Sequence, residues 1–140
     1  MFIGEYRHSV DAKGRVAIPA RFRLQLDEGA VVVRWVEGCA AIFPKAAFEA
    51  LAEKVSSLPI ANEQARAVSR FLFSSAFEVE RDAQGRIVLP AAIREWAGLG
   101  SDAVIVGAGD RVDIWAPDRW EAKGFGSPDD FAAALNGLGL

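Results

Sequence analysis

Short apolar runs, separated by Gly, Pro and charged residues, recur along the chain in two matching sets. Ala30-Val31-Val32-Val33 is matched by Ala103-Val104-Ile105-Val106, and Ile42-Phe43-Pro44 by Ile114-Trp115-Ala116-Pro117. Runs this short, rich in β-branched residues and bounded by turn formers, predict strands. Ahead of them Phe2 to Val10 reads as a strand of mixed pattern with Arg15 to Ile18 as its partner, and Phe77 to Glu80 pairs in the same way with Ile87 to Leu89. Asp11-Ala12-Lys13-Gly14 and Asp82-Ala83-Gln84-Gly85 then close two similar hairpins. Asp11 and Asp82 accept hydrogen bonds from the backbone ahead, and Gly14 and Gly85 tolerate the left-handed geometry of a type I turn closing into a bulge. Pro19 and Pro90 follow, where a fixed φ suits the first turn of a helix, and the second of these short helices stops near Gly98. Between the sets the period changes. Phe48, Leu51, Ala52, Val55 and Leu58 fall at helical spacing before Pro59, and a second helix runs from an Asn62 cap through Ala65, Val68, Phe71 and Leu72. Ser127-Pro128-Asp129-Asp130 before Phe131 starts a short final helix, with Ser as cap and the acids favourable to the helix dipole.

The matching extends to identity. Residues 11–23 recur 71 positions later as residues 82–94, with seven of thirteen residues identical. The chain is one unit written twice, about residues 5–47 and 76–119, joined by a helical segment at about 45–75. Its 140 residues lie in the range of one domain, whereas a unit of about 70 would be marginal alone. The expectation is a single compact domain over 1–140, of α+β class, whose two halves share a core.

Charge sharpens the picture. The net formal charge of -3 hides an uneven distribution: residues 1–26 carry +3 through Arg7, Lys13, Arg15, Arg21 and Arg23, while residues 78–98 balance at -1 and residues 110–140 at -3. A binding face needs only a local positive field, so the first repeat is the candidate face for a polyanion. No apolar run is long enough to span a bilayer and no signal-peptide pattern opens the chain, so a cytoplasmic protein without membrane contact is expected. Cys39 and His8, one of each, make no disulfide or Cys/His zinc site. Ser9, Ser74 and Ser75 lack the neighbours of a nucleophile, and no glycine-rich phosphate loop is present, so neither an enzyme nor a cofactor nor a small-molecule substrate is expected. Trp35, Trp96, Trp115 and Trp120 are read as core or subunit-interface anchors, His8 as a packing residue and Cys39 as a small buried one.

Asp-x-x-Gly-Arg admits two readings. One is structural, with Arg pairing to the Asp that shapes the turn. The other is recognition: the motif appears twice, Arg follows both times, and a narrow hairpin carrying guanidinium groups can approach phosphates and guanine edges in a DNA groove. Phe2, His8-Ser9-Val10-Asp11-Ala12-Lys13-Gly14-Arg15, Ile18-Pro19 and Phe22-Arg23, then Asp82, Gly85-Arg86-Ile87, Leu89-Pro90, Trp115 and Trp120, together resemble the MraZ family, a tandem form of the SpoVT-AbrB DNA-binding domain. The resemblance covers nearly the whole chain. It implies a pseudo-two-fold, swapped-hairpin, β-barrel-like core with peripheral helices, assembled into a homo-oligomeric ring. It also implies a nucleoid-associated regulator of transcription that binds short direct repeats in double-stranded promoter DNA of the division and cell-wall gene cluster. The family's Asp-x-x-x-Arg signature falls on Asp11 with Arg15 and on Asp82 with Arg86. Arg15 and Lys13 are expected to make the principal DNA contacts, with Arg7 or Arg21 available for phosphates if they share that face. Arg86 either joins them or only stiffens the fold, because Gln84 and Ala92 stand where the first copy has Lys13 and Arg21. The alternative is a ring-forming interaction or antitoxin-like protein with minor DNA contact.

Overall fold

Each half of the chain lends its first strand to the other half. In the computed structural model, which describes residues 1–123 and 127–140, β1 (Glu5–Ser9) pairs antiparallel with β7 (Asp102–Gly107), Arg7 lying opposite Val104. By the same exchange β5 (Phe77–Val79) lies along β3 (Ala30–Arg34). The strands that leave the two turns, β2 (Arg15–Ala17) and β6 (Arg86–Val88), pair with each other as a separate two-stranded ribbon, Val16 opposite Ile87. This corrects the two predicted hairpins: in the first, only an isolated bridge from Val10 to Val16 joins the strands. The reason lies in burial. Val16, Ile18, Ile87 and Leu89 are all within 3% of fully buried, and pairing β2 with β6 closes these four apolar side chains over one shared core.

With β4 (Ala40–Pro44) and β8 (Val112–Trp115) at its centre, the larger sheet has six antiparallel strands in the order β1-β7-β8-β4-β3-β5. That order is unchanged when every strand is exchanged with its counterpart in the other repeat. A pseudo-two-fold axis therefore passes between Ala41 and Asp113 in the sheet and between Val16 and Ile87 in the ribbon. The two halves share one core, as the resemblance implies, and among the described residues the ladders do not close into a complete barrel.

Both faces of the sheet are covered, which is why its central strands read as unbroken apolar runs instead of alternating. On one face Val32, Ile42, Ile105 and Ile114 pack against the ribbon and against Phe22 of α1 (Ala20–Leu26) and Ile93 of α4 (Ala91–Ala97). Each such side chain contributes about 1.5–3 kcal/mol by leaving water. On the other, Val31, Val33 and Phe43 lie under α2 (Lys45–Ser56) and α3 (Glu63–Ser74). Beside them Val104, Trp115 and Cys39 lie under Trp120 of α5 (Pro117–Lys123).

Helix ends follow the expected chemistry, with one shift. Asn62 Oδ1 accepts from the Ala65 N–H at 3.1 Å, Ser127 Oγ accepts from the Asp130 N–H at 3.1 Å to start α6 (Pro128–Gly137), and Gly98 ends α4 at φ 63°. Pro19 and Pro90 stand one position earlier than expected: their ψ values of 136° and 148° are extended, so each precedes its helix as the cap residue. Helix α5 was not expected. Its signal is Pro117 followed by Asp118, a helix start read instead as the end of a strand.

Candidate nucleic-acid interface

The two Asp-x-x-Gly-Arg turns are built alike. In the first, Asp11 Oδ1 accepts the N–H groups of Lys13 (3.0 Å) and Arg15 (2.8 Å), while Oδ2 accepts Arg15 Nε at 2.6 Å. In the second, Asp82 Oδ1 accepts the N–H groups of Gln84 and Arg86, both at 2.9 Å, and Oδ2 accepts Arg86 Nε at 2.9 Å. Gly14 and Gly85 close the turns at φ 79° and 77°, donating to the carbonyls of Asp11 and Asp82. The Arg15 N–H is the strongest influence holding the Asp11 carboxyl below its usual range, against the opposing effect of burial, with the Arg15 side chain and the Lys13 N–H adding to it. Asp82 is lowered by the same set of donors from Arg86 and Gln84.

Antiparallel pairing of β2 with β6 sends the two turns to opposite ends of the ribbon. Arg15 faces Val88 and Ala17 faces Arg86 across the ladder. Directly opposed residues share a face, so Arg15, Ala17, Arg86 and Val88 point outward while Val16 and Ile87 point into the core. The two arginines are diagonal neighbours, about 7–8 Å apart at Cα. The exposed face is thus a ribbon two strands wide with a guanidinium toward each end. Lys13 is exposed at the first tip, and among the described residues its side chain has no partner. Arg15 keeps both terminal guanidinium nitrogens without a protein partner among the described residues, whereas Arg86 Nη2 donates to Gln84 Oε1 at 2.6 Å.

The structure separates two residues that local charge had grouped with Arg15. Arg7 shares the face of Val104 and Trp115, on the side of the six-stranded sheet away from the ribbon. The condition attached to it, a shared face, is not met. Arg21 is exposed on α1, but α1 starts beside the second turn: the Ile18 N–H donates to the Gly85 carbonyl at 2.9 Å, as Leu89 N–H does to Gly14. Exchange of strands thus spreads the basic residues of the first repeat over both ends of the ribbon.

The sequence does not by itself disclose the role of two arginines that hold the turns. Arg23 Nε donates to the Ile18 carbonyl at 2.9 Å and its guanidinium lies on Gly85; Arg94 Nη1 donates to the Leu89 carbonyl and lies on Gly14. Each repeat clamps the other's turn. The signal was available: Arg23 and Arg94 are identical across the copies, unlike Arg21 and Ala92 beside them.

The remaining candidates are structural in their surroundings. Trp96 Nε1 donates to the carbonyls of Trp35 and Cys39, both at 3.0 Å, Trp120 Nε1 donates to Glu5 at 2.8 Å, and Trp115 is buried. His8 is half-buried in β1. Burial, with Asp113 adding to it, pushes the Cys39 thiol up to about 12. Among the described residues no group of His, Cys, Asp or Glu is placed to hold a metal ion, and no helix is long and apolar enough to cross a membrane.

Comparison with known proteins meets this geometry. The model of the family described as "MraZ protein, putative antitoxin-like" matches residues 1–71 and again 72–123, one match per repeat. A protein of Roseiflexus sp. (strain RS-1) named Transcriptional regulator MraZ is 50% identical over 121 residues, 86% of this chain and 85% of its own. One of the same name from Heliobacterium modesticaldum is 49% identical over 86% of this chain and 84% of its own, and one from Desulfitobacterium hafniense 44% identical over 99% and 96%. Two matches that divide at the repeat boundary, and relatives of nearly equal length, place the chain in the MraZ family.

Proposed function

We propose that the chain is a sequence-specific DNA-binding regulator of transcription that reads double-stranded promoter DNA with the outward face of the β2–β6 ribbon. The observation that carries this reading is the pair Arg15 and Arg86 on one exposed face of a two-stranded ribbon, a shape that enters a groove about 12 Å wide. Arg15 and Lys13 make the principal contacts, Arg21 reaches phosphate beside the second turn, and Arg86 contributes less. Asp11, Gly14, Asp82 and Gly85 shape the turns that present them. The relatives named as transcriptional regulators support the same reading, and they agree with the expectation that the chain is not an enzyme.

The finer reading comes from the family resemblance. Copies assemble into a ring on short direct repeats in the promoter of the division and cell-wall gene cluster, in the cytoplasm on the nucleoid. A ribbon carrying a few cations binds alone at roughly 10⁻⁴ to 10⁻⁶ M. Several ribbons on successive repeats gain roughly 10² to 10⁴ in avidity without new contacts, so repeat spacing becomes part of the specificity. Arg15→Ala is expected to abolish binding to the DNA upstream of the chain's own gene in a gel shift while leaving the assembly intact. Unchanged affinity, or affinity that barely responds to salt, overturns the assignment.

The family description favours one second reading, an antitoxin-like protein whose main partner is another protein. Affinity capture from nuclease-treated lysate separates the two, since a protein partner survives digestion of nucleic acid.

A further inference from the structure

On the sheet face away from the ribbon, α2 and α3 leave an apolar groove of ≈ 480 Å³ lined chiefly by Trp35, Leu51, Val55, Val68, Phe71 and Leu72. Past Val55 it continues toward Ile60, Ala65, Arg66 and Arg70. Its walls are open to water: Val68 is 49% exposed and Phe71 38%. The charged side chains along it are Arg34, Arg66 and Arg70, and no acid lines either part. Few polar groups converge in it, so a small polar ligand has little to orient it.

Helix α6 has the complementary design. None of its residues is fully buried, and Phe131, Leu135 and Leu138 follow one another at spacings of four and three, with Phe131 54% and Leu138 76% exposed and Leu135 half-buried. Its charged side chains are Asp129 and Asp130, both in the first turn. We propose that the groove between α2 and α3 receives α6 of a second copy of the chain, Asp129 and Asp130 meeting Arg66 and Arg70 while Phe131, Leu135 and Leu138 lie along Val55, Val68 and Phe71.

Three observations support this occupant. Charge is complementary, with only cations at the groove and only anions on the helix. The lengths agree, since Phe131 to Leu138 and Ala65 to Leu72 each span about 10 Å of helix at 1.5 Å per residue. An amphipathic helix presenting apolar residues one turn apart is the form that hydrophobic grooves of this kind accept. Among the described residues no residue of α6 lines the groove within one copy, which leaves it open to the helix of a second copy. Because groove and tail are different surfaces, the contact is head-to-tail and propagates from copy to copy until it closes. It also leaves the ribbon, on the opposite face of the sheet, uncovered. The inference rests on the reading that copies associate and is independent of the DNA contact.

Mixing two differently tagged full-length variants, Val68→Cys and Phe131→Cys, under mild oxidation tests it. Cys39 competes poorly because it is buried. The expected product is a disulfide-linked pair carrying both tags. Asp129→Lys with Asp130→Lys in the Phe131→Cys chain should cut its yield about tenfold, and Arg66→Glu with Arg70→Glu in the Val68→Cys chain should restore it. Absence of the mixed pair overturns the proposal. Sizing by light scattering separates the failures: assembled chains that do not crosslink defeat this contact alone, whereas a monomer defeats the ring reading as well.

Discussion

At the first turn Asp11 gathers the N–H groups of residues 13 and 15 and the Nε of Arg15; at the second, Asp82 does the same with residues 84 and 86, and the bond lengths agree within 0.3 Å. The difference is one side chain. Lys13 projects from the first tip, while Gln84 at the equivalent position folds back onto Arg86 at 2.6 Å. The duplication therefore kept the backbone device in both copies and changed what it displays. Fold symmetry does not imply that both ends of the ribbon bind equally.

The largest expected effect is on DNA. Arg15→Ala should cost about 1–3 kcal/mol per ribbon, multiplied in an assembly that uses several ribbons, and Arg86→Ala distinctly less. Fluorescence anisotropy on a single half-site removes the multiplication. Equal losses there would mean that Gln84 does not restrain Arg86 and that both ends read the groove.

Gly14→Ala and Gly85→Ala probe the part that should be the same. Both glycines have φ near 78°, and a Cβ at either would meet the clamping guanidinium, Arg94 at Gly14 and Arg23 at Gly85. Each substitution should destabilise by roughly 1–3 kcal/mol in thermal or urea unfolding. A large gap between the two would show that the clamps are unequal, despite their common geometry.

The element order apart from α5, both turns and the caps at Asn62, Gly98 and Ser127 were readable because each depends on residues within a few positions of one another. The pairing of β1 with β7 and of β2 with β6 was not readable from pattern alone. Local turn chemistry is the same whether Arg15–Ala17 returns along its own neighbour or crosses to the other copy, and the choice is made by burial of Val16 and Ile87 in a core assembled from both halves. For the same reason the positive charge of residues 1–26 was readable as a sum but not as a place: the crossing carries Arg21 to the far end of the ribbon. The clamping role of Arg23 and Arg94 was not readable because a cation lies on a turn glycine only once the opposite repeat is docked.

Gln84→Lys is a smaller, constructive test. It removes the acceptor that holds Arg86 Nη2 and places a second cation where the first turn has Lys13. Affinity should rise about tenfold, and the slope of log affinity against log salt should steepen by about one unit. A gain that leaves the slope unchanged would point to a rearranged turn instead of a new phosphate contact.

The smallest effect bears on whether the turn would survive if Arg15 left Asp11 for DNA. Both Asp11 and Asp82 titrate below the ordinary 3.8, so whatever stability they contribute is present above that pH and is lost as pH falls through their lowered values. The largest cause in each is a backbone N–H, that of residue 15 or 86, and not the guanidinium. Carboxyl carbon shifts followed by NMR should therefore show Asp11 still titrating below 3.8 in Arg15→Ala, with only part of the depression removed. If Asp11 returned fully to 3.8, the ion pair would be what shapes the turn, and an Arg15 engaged with phosphate would have to unmake its own support. Retention of most of the depression means that the backbone alone holds the turn, leaving the guanidinium of Arg15 as a group the fold presents and can release.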